Sequence, residues 1–253
     1  MKFSFARGAL ALMATLSLAS CGGGKATFPI NVTVYGVSYD GLVLTTNGQD
    51  LAVNHTGTGA DPVTVTAVFP KQLDYGETYD VVPKPVVTPT TVTAADGTTS
   101  TVNVTTYKYP LHQTCQQSGS YPTNLPTYGT AGQLSSIQIY YVCSINAYPL
   151  TAKVTGLRGT GLTLANGSGP APVAISPTLD ANSAPTGADI TNLSLFSVTY
   201  NTTYGVTILT QPTGQTCTIS GGANGTGAGT MDDAAEKAGG VSNFVIACVN
   251  NPT

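Results

Sequence analysis

The heptapeptide Gln-Pro-Thr-Gly-Gln-Thr-Cys, residues 211–217, is partly repeated upstream as Tyr-Pro-Leu-His-Gln-Thr-Cys, residues 109–115. Both copies place a proline, then two other residues, then Gln-Thr-Cys, and both follow a run rich in Tyr and Val. The whole chain contains only five cysteines. Because similar residues precede two of these cysteines, we expect an internal repeat.

Shifting the chain by 120 residues aligns further segments upstream of the two heptapeptides, and each half closes with an alternating strand that carries its second cysteine. The repeat therefore predicts two modules, residues 28–146 and residues 147–253. The matched segments are Phe28-Pro29-Ile30 with Tyr148-Pro149-Leu150, Val34-x-Gly36-Val37 with Val154-x-Gly156-Leu157, and Gly41-Leu42-x-Leu44 with Gly161-Leu162-x-Leu164.

Apolar and polar residues alternate with period two along most of both modules, with Val, Ile, Thr and Tyr at strand positions and Gly, Pro, Asn and Asp between them. This pattern is typical of short β-strands joined by turns. It predicts an all-β fold of two tandem immunoglobulin-like (Ig-like) β-sandwiches. Residues 231–237 are the exception, since they could form one or two helical turns.

Cys115 precedes Cys143, and Cys217 precedes Cys248, at corresponding places in the two modules. Four cysteines allow three pairings, and the repeat selects the pairing within each module. An exported, oxidising location would permit disulfides. Thiolate catalysis or metal ligation is the alternative, but no C-x-x-C motif or nearby histidine cluster supports it.

The N-terminus has the pattern of an export signal. Lys2 and Arg7 precede a short apolar stretch that ends in Leu18-Ala19-Ser20-Cys21, which resembles the lipobox of bacterial lipoproteins. The resemblance implies a signal peptide at residues 1–20, lipidation of Cys21, a flexible tether at residues 21–27 and an address at the outer membrane or cell surface. An ordinary signal peptide cleaved near Ala19 is the alternative.

The second module resembles an Ig-like or prealbumin-like repeat of proteobacterial surface lipoproteins and large extracellular proteins. The residues that carry the resemblance are 156–167, Tyr204-x-Val206 and 211–217. The first module departs from it, because it lacks the glycine before Gln-Thr-Cys and carries an insertion. The resemblance implies a sandwich used as a spacer or binding module, and it implies no catalytic residues.

The insertion, residues 83–106, carries Asp96-Gly97 between Thr/Val-rich runs. Asp-Gly between alternating strands predicts a hairpin, with prolines at its base that keep one edge from pairing freely. A projecting hairpin offers unpaired backbone groups to a partner. In the alternative, the insertion folds back and lengthens its own sheet.

Tyrosines form a second group of candidate binding residues, because exposed tyrosines stack on sugars and anchor protein interfaces. Packing within strands and core is the alternative use of such side chains. The candidates are Tyr107, Tyr109, Tyr121, Tyr128 and Tyr140.

Composition excludes several classes of function. Twelve acidic residues against nine basic ones give a net charge of −3, so nucleic acid is not an expected partner. The two histidines, His55 and His112, lie near no serine-nucleophile motif. Asp232-Asp233-x2-Glu236 lacks the alternating ligand pattern of a calcium loop and is expected to be a solvated helical turn. We therefore expect no catalytic site, metal or cofactor.

These features predict a lipid-anchored envelope lipoprotein that acts as a non-catalytic structural, adhesive or protein-binding module. Its partners would be the membrane, through the N-terminal lipid, and a protein or glycan at the envelope. A carbohydrate-binding accessory protein of the envelope is the alternative.

Overall fold

The computed structural model describes residues 25–119, 125–167, 169 and 171–252. Regular structure in these residues is almost entirely β-strand, with one short helix. Contacts divide the chain into two compact units, one containing residues up to Pro110 together with Cys115–Cys143, and one containing Leu111–Thr114 together with Ser144–Thr253. Within the described ranges no helix is long and apolar enough to cross a membrane.

The part of the chain before Ala147 forms strands β1 to β13. Their bounds are β1 Thr27–Phe28, β2 Ile30–Val37, β3 Leu42–Thr46, β4 Gln49–Val53, β5 Val63–Val68, β6 Leu73–Asp74, β7 Thr78–Asp80, β8 Val82–Pro83, β9 Pro85–Thr93, β10 Thr99–Tyr107, β11 Gln113–Gln117, β12 Tyr128–Thr130 and β13 Ile137–Ile145.

A four-stranded sheet, β11-β13-β2-β5, and a three-stranded sheet, β4-β3-β8, form the two layers of the first unit. Successive side chains of a strand point to opposite faces of the sheet. The inward-facing residues of β2, such as Ile30 and Val32, therefore share one buried core with Leu42 and Leu44 of β3. Two sheets that enclose one apolar core make a β-sandwich.

The second unit follows the same plan. Its layers are the sheets β17-β14-β21-β19 and β16-β15-β18-β20, and Leu150 and Val154 of β14 share a core with Leu162 and Leu164 of β15. The bounds are β14 Ala147–Thr155, β15 Leu162–Asn166, β16 Val173–Ile175, β17 Ile190–Thr199, β18 Thr203–Thr210, β19 Gln215–Ser220, β20 Ala228–Thr230, α1 Asp233–Lys237 and β21 Val241–Asn250.

The predicted all-β fold of two tandem sandwiches is confirmed, and the repeat is visible in the strand order. In each unit the first long strand runs parallel to the last one, β2 beside β13 and β14 beside β21. Gly36 and Gly156 hold the same bend, with φ of +74° and +70°, and a Cβ on either would lie 2.5 Å from a carbonyl oxygen, that of Cys143 or Cys248. Only glycine fits both constraints.

The predicted disulfides are also present. Cys115 is bonded to Cys143 and Cys217 to Cys248, and the Cα atoms of each pair are 4.0 Å apart. Cys217 and Cys248 lie directly opposite each other in the antiparallel strands β19 and β21. Each disulfide therefore joins the last strand of its module to the strand that begins with the repeated Gln-Thr-Cys.

Three boundaries differ from the expectation. Residues 144–146, predicted to end the first module, belong to the second unit. Residues 111–114 group with the second unit, because Asn146 donates its N–H to the His112 carbonyl at 2.8 Å and its side-chain oxygen accepts from Thr114 Oγ1 at 2.8 Å. Thr27, the last residue of the predicted tether, pairs with Asp74 in β1 and β6. The predicted signal peptide, residues 1–20, and Cys21 lie outside the described residues.

Candidate interaction site

The insertion forms a two-stranded sheet of its own, here called the arm and defined as residues 85–107. β9 and β10 are nine residues long, and their register runs from Thr99 opposite Thr93 to Tyr107 opposite Pro85. Every residue of both strands is exposed. The structure therefore shows a projecting hairpin, and the alternative in which the insertion lengthens its own sheet is not observed.

The two faces of the arm differ in chemistry. Residues directly opposite in an antiparallel pair share a face, so the register places Val86, Val92, Val102 and Val104 together. We call this the valine face. Val102 and Val104 keep 47% and 43% of their surface exposed. The other face carries mainly threonine and proline, and neither strand contains a charged residue.

Asp96 and Gly97, predicted as candidate binding residues, shape the turn at the tip of the arm. Asp96 Oδ1 accepts from the Thr98 N–H at 2.9 Å and from Thr98 Oγ1 at 2.6 Å, and these bonds lower the pKa of the carboxyl group. The Gly97 N–H donates to the Ala94 carbonyl at 2.9 Å, and Gly97 has a φ of +84°. This is a three-residue hairpin loop with glycine at its left-handed position.

The base of the arm is attached to the first sandwich by backbone and charge contacts. The Lys84 N–H donates to the Val43 carbonyl at 2.8 Å, and the Lys108 N–H donates to the Lys84 carbonyl at 2.9 Å. The Lys84 ammonium forms an ion pair with Asp50, and its hydrogen bond, followed by that of Thr45, lowers the pKa of the Asp50 carboxyl group. The base is therefore fixed, whereas the strands beyond it are exposed.

The candidate tyrosines do not share one environment. Tyr128 is 65% exposed in β12 and Tyr107 is 50% exposed at the base of the arm. Tyr109 packs against the core of the first sandwich, and burial raises the pKa of its hydroxyl group. Tyr140 is half-buried in β13. Tyr107 and Tyr109 are in ring contact at 6.1 Å, and Tyr121 lies outside the described residues.

The second unit contains a polar network that the sequence did not predict. The His112 ring stacks on Tyr200, with centroids 3.6 Å apart and planes 4° from parallel. Its Nδ1 contacts Glu236 Oε2, and the other oxygen of Glu236 accepts from the Tyr148 hydroxyl at 2.5 Å. Tyr200 donates to Asp233 Oδ1 at 2.6 Å. The helix expected to be a solvated turn is α1, and its Glu236 is instead half-buried in this network.

The Glu236 carboxyl group has a pKa below its ordinary value. Burial raises this pKa. The hydrogen bonds from Tyr148 and, to a smaller extent, from His112 stabilise the carboxylate, and together with the other contacts of the group they outweigh the effect of burial. The residues of this network lie far apart in the sequence. Only two sequence features pointed to them, a histidine in one copy of the repeated heptapeptide and an acidic helical turn.

His112, Asp233 and Glu236 also form a group of three side chains, within the described residues, whose ligand atoms lie within 4.8 Å of one another. Both oxygens of Glu236 already accept hydrogen bonds, from Tyr148 and His112. The two ring nitrogens of His112 face different carboxylates, Glu236 and Asp233. The arrangement therefore works as a hydrogen-bonded clamp that joins residues 111–114 to α1.

No protein-family model matches the chain, and no curated protein sequence matches it. No residue of β9 or β10 belongs to the buried core of either sandwich. The arm is therefore exposed without contributing to the core that holds each sandwich together.

Proposed function

We propose that the protein is a lipid-anchored lipoprotein of the outer membrane or cell surface, and that it acts as a non-catalytic structural, adhesive or protein-binding module. The observation that carries the proposal is the arm, because both of its strands are exposed throughout. The lipid anchor is inferred from the sequence before Gly22. The sandwiches would support the arm, and the arm would make the contact.

A projecting two-stranded sheet supports this role for a physical reason. Strands at the edge of a sheet present N–H and C=O groups that another strand can pair with, and proteins use such edges to bind extended segments. The exposed valine face adds apolar surface beside those edges. A spacer without a binding role would gain nothing from either feature.

The test is chemical cross-linking in native cell envelopes, followed by capture of the full-length chain. In the test variant, residues 87–105 are replaced by Asn-Gly, which joins the cross-strand pair Val86 and Thr106 by a two-residue turn. The control is Leu209→Ala, which removes an exposed side chain of the second sandwich and leaves the arm intact. We expect cross-linked species with wild type and the control, and their loss in the shortened variant. Equal cross-linking by all three proteins would contradict the proposal.

Glycan binding is a second candidate, favoured by the exposed rings of Tyr128 and Tyr107. Aromatic rings of this kind stack on sugars. A glycan array with wild type and Tyr128→Ala tests it. A sugar-binding protein should select one ligand class and lose it in the variant, whereas binding to no glycan would remove this candidate.

A further inference from the structure

The hydrogen bonds at the two ends of the arm fix which backbone groups point outward. The Lys108 N–H donates to the Lys84 carbonyl at 2.9 Å, and the Ala94 N–H donates to the Thr98 carbonyl at 2.8 Å. Hydrogen-bonded and non-hydrogen-bonded pairs alternate along an antiparallel ladder. The even-numbered residues between these ends are therefore bonded to the opposite strand, and the odd-numbered residues direct their N–H and C=O groups to the outer edges.

The two outer edges differ because of proline. Pro85 and Pro89 occupy outward-facing positions of β9, and neither has an N–H group. The edge of β9 is thus interrupted. The edge of β10 is continuous, since its sequence Thr-Ser-Thr-Val-Asn-Val-Thr-Thr-Tyr contains no proline and no charged residue. Natural sheets usually protect exposed edges with proline, charge or bulges, and β10 has none of these along its length.

The sequence of β10 is also self-complementary. When two copies are aligned antiparallel about Asn103, Val102 lies opposite Val104 of the other copy, and Thr101 lies opposite Thr105. In this register each outward-facing residue of one strand meets an outward-facing residue of the other, so N–H and C=O groups can pair along the whole edge. Cross-strand pairs of β-branched residues stabilise sheets.

We propose that β10 pairs with β10 of a second copy of this chain, antiparallel and centred on Asn103, to form a four-stranded sheet. The proposal rests on the proposed function, and it names the partner and the edge. The valine face supports this occupant, because the pairing brings Val102 and Val104 of both copies into one central patch. The absence of charge from β10 also means that two copies do not repel each other along the edge.

The proline positions explain why such an assembly would stop at two copies. In the four-stranded sheet the outermost strands are the two copies of β9, whose outer edges carry Pro85 and Pro89. A contact that uses the same surface on both subunits closes after one pairing, and the proline-interrupted edges disfavour further strands. The two edges therefore have opposite roles, one for pairing and one for termination.

Thr101→Pro and Thr91→Pro provide a matched pair of variants. The two residues lie directly opposite each other in the arm, and each substitution removes one outward-facing N–H without removing a bond between β9 and β10. Sedimentation velocity of the purified full-length chain is the measurement. We expect a concentration-dependent dimer for wild type and Thr91→Pro, and a monomer for Thr101→Pro over the same concentrations. Equal denaturation midpoints for the three proteins, measured at a concentration at which all three are monomeric, would exclude misfolding.

Cross-linking with a short bismaleimide tests the register separately. Asn103→Cys should give a covalent dimer in high yield, because residue 103 of each copy lies at the twofold axis. Thr91→Cys, on the terminating edge, should give at least tenfold less. Dimerisation that survives Thr101→Pro, equal loss in both proline variants, or equal cross-linking at the two positions would overturn the proposal.

A wild-type chain that is monomeric at all concentrations would likewise overturn it. That result would leave the proposed function standing if the arm still produced cross-linked species in native envelopes. If the proposed function itself were wrong, the result would be different, because cross-linking in envelopes would then not depend on the arm.

Discussion

Thr91 and Thr101 lie directly opposite each other in the arm, yet the outer edges of their two strands are chemically different. The edge of β9 is interrupted by Pro85 and Pro89, and that of β10 carries an N–H group at every outward position. The contrast arises from two prolines in one strand and none in the other. The two edges therefore differ in their capacity to pair with another strand, although both strands are fully exposed.

The arm should contribute little to the stability of the first sandwich, because none of its strand residues is buried. At a concentration at which wild type is monomeric, replacing residues 87–105 with Asn-Gly should change the free energy of unfolding by about 1 kcal/mol or less, because exposed residues contribute little to stability and no dimer then stabilises wild type. Urea denaturation followed by circular dichroism measures it. A loss of several kcal/mol would mean that the arm is part of the fold.

Gly156 should not tolerate a side chain. Gly156→Ala should cost ~1–3 kcal/mol for the left-handed backbone, and more because its Cβ would lie 2.5 Å from the Cys248 carbonyl oxygen. Gly161→Ala is the control, since Gly161 has a φ of +91° but a Cβ there would meet no atom within 4 Å. Thermal denaturation should rank Gly156→Ala as the less stable variant, and the reverse order would contradict the assignment.

The disulfide of the second unit should stabilise it strongly. Cys217 and Cys248 are 31 residues apart in sequence, and closing a loop of this size stabilises a protein by about 3–4 kcal/mol on the chain-entropy argument. The double variant Cys217→Ala, Cys248→Ala should therefore unfold at a lower urea concentration than wild type. An unchanged midpoint would show that the disulfide is dispensable for stability.

Glu236 should make the stability of the second unit depend on pH. Its folded-state pKa lies below the ordinary value of 4.5, so its contribution to stability is present above pH 4.5 and is lost as the pH falls through the folded-state pKa. Glu236→Gln should be less stable than wild type at pH 7, and the difference should shrink below pH 4.5. Urea midpoints measured from pH 7 to pH 3 test this.

Asp189→Asn is the control for this titration. Asp189 is a half-exposed carboxylate of the second unit, paired with Lys153 at 2.7 Å and outside the His112 network. A pH profile of Glu236→Gln that runs parallel to wild type would contradict the role given to Glu236.

Local patterns were sufficient to predict the two modules, the sandwich class and the disulfides. The alternation that buries Ile30, Val32 and Val34 is a local property of the chain, and it follows from strand geometry. The pairing of the cysteines could be predicted because the repeat places them at matching points. These features needed no knowledge of contacts between distant residues.

The network around His112 could not be predicted in this way, because His112 and Glu236 are separated by 124 residues and neither lies in a recognisable motif. The parallel pairing of β2 with β13 is likewise a contact between distant segments. Local pattern predicted the hairpin of the arm but left its place relative to the main sheets open, since Thr/Val-rich alternation fits an inner strand as well as a projecting one.

The most direct test of the account is amide hydrogen exchange of the full-length chain, resolved by residue and measured at low and high protein concentration. Pairing along β10 predicts that the outward amides of Thr101, Asn103 and Thr105 become protected as the concentration rises, while those of Val87 and Thr91 in β9 stay unprotected. Outward amides that exchange at the same rate in both strands at every concentration would contradict the central claim.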